Sequence, residues 1–144
     1  MSCTSAFGFF IAVPVLMTQK LLPLLRKAAD QKRSLPLGCG RAAIINMSFQ
    51  FGSIQSSMDC LKSYHYRAAR AALNTVTTLM AMELKEYGIL VAAIHPGWAD
   101  TAATEESAEE DRLSSMNNIW STIMKMTEES AGMMHNYDGM VLPW

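Results

Sequence analysis

The stretch 64–74, YHYRAARAALN, and the stretch 88–98, GILVAAIHPGW, decide the fold of this chain. In the first, Tyr66 precedes the cation Arg70 by one helical turn in an alanine-rich segment, which favours a helix. In the second, the continuous apolar run from Ile89 to Ile94 is typical of a strand that is buried on both faces of a parallel sheet. We therefore predict a long helix that is followed by a buried parallel strand.

Outward from this pair, helical and strand-like segments alternate along the chain. Pro14 and Pro23 are expected to kink the first helix, and Gly88 is expected to end the helix that carries Tyr66. Acidic residues between 105 and 111 are expected to form a solvated helix surface. The predicted elements are a helix at 9–29, a loop at 31–41, a strand at 42–47, a helix at 62–86, a strand at 89–94, a helix that begins at Thr127 and a strand at 139–142. This order predicts an α/β fold with a parallel sheet.

Composition limits the classes of function. The 144 residues are 50% hydrophobic and 17% charged, which predicts one globular domain over 1–144. A net charge of -1 offers no electrostatic footprint for nucleic acid. Three irregularly spaced cysteines indicate reduced thiols and neither a disulfide framework nor a metal site. The apolar run Ala6 to Met17 is shorter than the roughly 20 residues of a membrane span and lacks a basic residue before it, so a buried helix is predicted.

Further motifs occur in a fixed order around Tyr66. They are IINMS at 44–48, GSIQ at 52–55, AALN at 71–74, HPGW at 95–98, and NYDG with LPW at 136–144. Together with Tyr66-x-x-x-Arg70 they resemble the short-chain dehydrogenase/reductase family, closest to its sniffer-like and C-factor-like carbonyl reductases. The resemblance implies a partial Rossmann-like, doubly wound parallel sheet that holds the later strands and helices only. The glycine-rich cofactor half is expected to be missing, because Gly38 to Ala43 fits GxGxxA but precedes a strand.

The resemblance assigns catalytic roles to three residues. Tyr66 would be the proton donor, Arg70 stands where the family has lysine, and Ser48 would hydrogen-bond the substrate oxygen. A cation near a phenol favours phenolate, but an arginine stays charged and cannot pass on a proton. Ser48 comes one residue before the position of the family's serine, which holds Phe49, and Phe10 stands at the position of its relay asparagine. The site is therefore expected to be degraded.

The cofactor implied by the resemblance is NADP or NAD. The positions that it assigns to cofactor binding are Asn46, Tyr66, Arg70, Pro96, Gly97, Trp98 and Thr101. The implied function is NAD(P)-dependent reduction of a small carbonyl compound in the cytoplasm, with this chain alone weak or inactive. The alternative is a non-catalytic remnant that dimerises with full-length relatives. In either case the helices at 9–29 and 62–86 are expected to form homo- or hetero-oligomers, with no nucleic acid or membrane as partner.

Overall fold

The computed structural model describes residues 3–55, 64–97 and 105–144, and of residues 3, 4 and 105–112 only the backbone. The helices are α1 (Cys3–Phe7), α2 (Val13–Gln31), α3 (Tyr64–Leu84) and α4 (Glu105–Lys125). A π-helical turn, Gly8–Ala12, joins α1 to α2. The strands are β1 (Ala43–Met47), β2 (Leu90–His95), β3 (Met134–Asn136) and β4 (Val141–Leu142). Short 3-10 turns lie at Gln50–Gly52, Lys85–Tyr87 and Glu128–Ser130.

The four strands form one sheet in the order β1-β2-β3-β4. β1 pairs with β2 in parallel, with Ala43 opposite Leu90 and Met47 opposite Ile94. β2 pairs with β3 in parallel, whereas β4 runs antiparallel to β3. The predicted α/β class with a mostly parallel sheet is confirmed. All six residues of β2 are buried, as its continuous apolar run predicts for a central parallel strand.

Helices cover both faces of the sheet. α2 and α3 pack on one face, where Met80 and Leu84 of α3 join Val91 in a core cluster. α4 covers the other face, where Met126, just after the helix, joins Leu90 and Ile94. Successive residues of β2 therefore point to opposite cores, which explains why the strand tolerates no polar residue before its end.

The first helical segment is longer than predicted. Pro14 lies where the π-helical turn passes into α2, and Pro23 lies inside the helix. The helix from Ser5 to Gln31 is long and apolar enough to cross a membrane by length and composition alone. The prediction that the run 6–17 is too short for a membrane span is therefore wrong. The prediction of a buried helix is also wrong, because Phe9, Val13 and Leu16 are exposed. One such helix near an N-terminus is weak evidence, since core helices and signal sequences share its composition.

Gly88 ends the segment after α3 in the left-handed conformation, at φ 72°, as predicted. The expected helix at Thr127 is wrong. Thr127 and Ser130 do form a capping box, but it caps only the 3-10 turn Glu128–Ser130. Gly132, at φ 72°, comes two residues after this turn. β3 was missed because its three residues are too few to show a period, and the predicted last strand is reduced to β4.

Candidate active site

Tyr66 lies in the first turn of α3, at the carboxyl ends of β1 and β2. A close approach of backbone to backbone sets this position. A Cβ atom on Gly52 would come within 2.8 Å of the Arg70 carbonyl carbon, so only glycine lets the turn after β1 rest on α3. The turn carries Phe49 and Phe51 to the Tyr66 side of the sheet edge.

Arg70 contacts Tyr66 one helical turn further along α3. Its Nε donates to the Tyr66 hydroxyl at 3.2 Å, and its Nη1 donates to the Met47 carbonyl at 2.8 Å. The guanidinium carbon also lies 4.0 Å from the ring centroid of Phe10, a cation–π distance. The i, i+4 relation that the sequence indicates is therefore a direct hydrogen bond.

Two phenylalanine rings flank the Tyr66 phenol. The Phe10 ring meets the Tyr66 ring edge to face, with centroids 5.5 Å apart, and the π-helical turn carries it there. The Phe49 ring lies 6.4 Å from Tyr66 and 4.6 Å from the His95 ring. These are the two positions that the resemblance assigns to a relay asparagine and a catalytic serine, and here both present apolar rings.

Ser48 and Asn46 face α3 and bind it. The Ser48 side chain is 2% exposed, and its Oγ donates to Asn74 Oδ1 at 2.5 Å. Asn46 Nδ2 donates to Thr77 Oγ1 at 2.9 Å, and Thr77 in turn donates to the Leu73 carbonyl at 2.8 Å. These bonds tie β1 to α3 beneath the phenol. The catalytic and cofactor roles of Ser48 and Asn46 stay predictions.

His95 ends β2, and Gly97 follows it by two residues. The His95 residue is 3% exposed, its Nδ1 has no hydrogen-bond partner among the described residues, and burial lowers its pKa. Gly97 has φ +81°, and a Cβ there would lie 2.0 Å from the Tyr137 ring, so the ring packs directly on the glycine backbone. Pro96 is buried between them. Trp98 and Thr101, both predicted cofactor contacts, lie outside the described residues.

Sequence reasoning overlooked Asn74 and Thr77. They follow Arg70 by one and two helical turns, so helical spacing places them on the same face as Tyr66. Their polar side chains on a face that packs against a strand were the available signal. Within the described ranges, no three histidine, cysteine or acidic side chains come together as a metal site.

The chain resembles several known proteins. A family model described as Enoyl-(Acyl carrier protein) reductase matches residues 15–134. The carbonyl reductase Sniffer of D. melanogaster superposes with a TM-score of 0.85 at 37% identity, over 96% of this chain and 55% of that one. NADPH-bound carbonyl reductase from chicken fatty liver superposes with a TM-score of 0.83 at 31% identity, over 99% and 57%. Short-chain dehydrogenase srdF of Neurospora crassa is 30% identical over 91% of this chain and 52% of its own length. The chain thus spans about half the length of these three relatives.

Proposed function

We propose, from the premise that this chain belongs to the short-chain dehydrogenase/reductase family, that it is a carbonyl-reductase scaffold with a degraded active site. The observation that carries the proposal is the surroundings of the Tyr66 phenol. The phenol lies at the carboxyl ends of the parallel strands, where α/β folds bind ligands. Its described neighbours are the cation Arg70 and the rings of Phe10 and Phe49.

The nicotinamide end of an NADP or NAD molecule fits this edge. When bound, such a cofactor supplies a hydride to a carbonyl carbon. The Tyr66 hydroxyl would hold the proton that the carbonyl oxygen takes up, and Arg70 Nε, 3.2 Å away, would stabilise the phenolate left behind. Pro96 and Gly97 would border the nicotinamide ring.

The described residues do not fit the pyrophosphate end. A phosphate loop needs a glycine turn that leads from a strand into a helix N-terminus. Gly38 and Gly40 precede β1, and neither has a positive φ. We therefore expect this chain alone to hold NADP or NAD weakly, and no chemical step is assigned through the phosphates.

Chemistry at Tyr66 would also be slow, because the described residues at this edge offer the substrate oxygen no second hydrogen-bond donor. The Ser48 hydroxyl is buried and donates to Asn74, while Phe49 presents a ring toward Tyr66. Loss of one such donor raises a barrier by about 3–4 kcal/mol, or about 10²- to 10³-fold in rate. We therefore propose reduction of a small carbonyl compound for full-length members of the family, and only slow reduction for this chain alone.

The second candidate function is non-catalytic association with full-length relatives or with a second copy. The observation that favours it is an apolar stripe along the outer side of the first helices and a smaller one on α3. The exposed apolar side chains are Phe9, Val13, Leu16, Met17, Leu21 and Leu24 on the first segment and Tyr64, Leu79 and Met82 on α3. Burial of such a face contributes about 25 cal/mol per Å² of apolar area toward association, from which the entropic cost of binding must be subtracted.

Two measurements separate these candidates. Titration of the purified chain with NADPH, followed by nicotinamide fluorescence, tests the first candidate. Weak binding should raise the emission gradually, and an emission that stays unchanged up to low millimolar cofactor contradicts this candidate. Mass photometry of the chain with a full-length carbonyl reductase of the family tests association. Leu24→Asp, on the stripe, should abolish a mixed dimer, whereas Leu35→Asp, in the loop after α2, should leave it intact. A mixed dimer that survives Leu24→Asp contradicts the proposed surface.

A reduced, cytoplasmic setting is part of the proposal. The Cys39 thiol is partly buried and donates to the Ile123 carbonyl at 3.1 Å, and burial raises its pKa. Both effects keep it in the unreactive thiol form. Retention of free thiol after lysis under a blocking reagent, with the protein in the soluble fraction, is the expected result.

A further inference from the structure

β1 is an edge strand, and among the described residues no strand pairs with it on the side away from β2. Ser48 N–H donates to the Ile94 carbonyl at 2.8 Å, and Leu90 N–H donates to the Ala42 carbonyl at 2.9 Å. In a parallel pair, every second residue directs both of its backbone groups to the same neighbour. The even-numbered residues of β1 therefore bind β2, and residues 43, 45 and 47 direct their N–H and C=O groups outward.

Arg70 binds one of these outward groups. Its Nη1 donates to the Met47 carbonyl at 2.8 Å while its Nε donates to the Tyr66 hydroxyl at 3.2 Å. The Phe10 ring lies under the guanidinium at 4.0 Å. One side chain thus connects three separate elements, namely the sheet edge, the start of α3 and the π-helical turn before α2.

We propose that Arg70 is a positioning residue that caps the open edge of β1 and fixes the Tyr66 phenol, with the Phe10 ring as its platform. Unpaired edge groups are a template for strands of other molecules, and a charged side chain on the edge opposes that pairing. The planar guanidinium has five N–H donors in a rigid fork, so it serves two acceptors in different directions at once. A lysine ammonium at this position is a point charge without that planar fork.

The two contacts are linked through the shared side chain. A strand that adds to the edge at Met47 must displace Nη1 from the carbonyl, and this displacement moves the guanidinium that holds the phenol. By thermodynamic reciprocity, an interaction that stabilises Arg70 on the Met47 carbonyl weakens strand addition at this edge by the same free energy. This inference holds whether or not a nicotinamide cofactor binds.

The test compares Arg70→Gln and Arg70→Lys with Arg33→Gln, a control that removes the same charge from an exposed pair with Asp30. Self-association is measured by sedimentation equilibrium. The environment of the Tyr66 phenol is followed by its Cζ carbon resonance at pH 7, assigned with Tyr66→Phe. Circular dichroism first checks that each variant is folded.

We expect Arg70→Gln to associate about tenfold more tightly than the control, which corresponds to about 1.4 kcal/mol, and to shift the Tyr66 resonance. Arg70→Lys should keep the charge and still associate more tightly. An Arg70→Gln variant that matches Arg33→Gln in both measurements overturns the proposal, and so does an Arg70→Lys variant that matches the unaltered protein. If Arg70→Gln is unfolded, Phe10→Leu decides by self-association, because loss of the platform should loosen Arg70 at the edge and tighten association. Association equal to that of the unaltered protein overturns the proposal.

Discussion

The rings of Phe49 and His95 meet edge to face, with centroids 4.6 Å apart and an interplanar angle of 79°. The contact joins the residues that follow β1 to the last residue of β2. The Phe49 ring also contacts the Tyr66 ring, which in turn contacts the Phe10 ring, so the four rings form one cluster. The carboxyl end of the sheet is therefore held by aromatic packing as well as by backbone pairing, and a buried imidazole forms part of that packing.

The first prediction is that His95 makes the fold sensitive to acid. Burial lowers the pKa of His95, so the unfolded chain binds a proton at a higher pH than the folded one. The contribution of the neutral ring to stability is fully present above about pH 6.5, the unfolded value. It is lost progressively as the pH falls from there toward the folded pKa.

Urea unfolding of the protein and of His95→Asn at pH 7.5 and pH 5.5 measures this effect. His65→Asn is the control, since His65 lies in the half-exposed first turn of α3. The unaltered protein and the control should lose stability at pH 5.5 by the same amount, and His95→Asn should lose less. Equal losses in all three proteins would rule out His95 as the source.

The second prediction concerns the glycine after β2. Gly97→Ala should destabilise the fold by about 1–3 kcal/mol, because φ +81° strains an alanine. The added Cβ would also meet the Tyr137 ring, which must move. Gly8→Ala is the matched control, since nothing lies within 4 Å of its added Cβ and helical backbone prefers alanine. Chemical denaturation of both variants measures the difference, and equal midpoints would contradict the strain at Gly97.

The third prediction separates a structural from a catalytic role for Ser48. Ser48→Ala leaves the buried Asn74 amide without its partner, which should cost about 1–3 kcal/mol of unfolding free energy. Thr75→Ala, which removes an exposed hydroxyl from the same helix, should change stability little. The Tyr66 resonance should be the same in both variants. A Ser48→Ala protein of unaltered stability would mean that the hydrogen bond from Ser48 to Asn74 does not stabilise the packing of β1 on α3.

Much of the fold was predictable, because long buried strands and long helices show clear patterns of apolar residues in the sequence. β2 shows a continuous apolar run, and Gly88 marks the turn before it. β3 was not predictable, since a strand of three residues takes its conformation from its neighbours in the sheet, and β4 keeps only the last two residues of the strand predicted at 139–142. The single-domain prediction over 1–144 stays a prediction.

The site was predictable in its residues but not in its contacts. The spacing of Tyr66 and Arg70 indicates that they meet, and alignment of motifs identifies Phe10 and Phe49 as altered positions. Nothing local in the sequence indicates that Arg70 also reaches the Met47 carbonyl, because that contact joins residues 23 positions apart. It depends on the close approach that Gly52 permits, which is a tertiary property.

The last prediction tests position 49 as the lost substrate donor. Phe49→Ser would place a hydroxyl at the residue whose ring contacts both the Tyr66 ring and the His95 ring. If the Tyr66 centre retains any reductase chemistry, a donor there should raise the rate of NADPH-dependent aldehyde reduction by about 10²-fold. Tyr66→Phe in the same background should remove the gain. Phe51→Ser is the matched control, because it opens the same aromatic group from the far side of Phe49. An equal gain in Phe51→Ser would mean that access to the site, and not a missing hydrogen bond, limits the rate. No gain in either variant would favour the non-catalytic function of this chain.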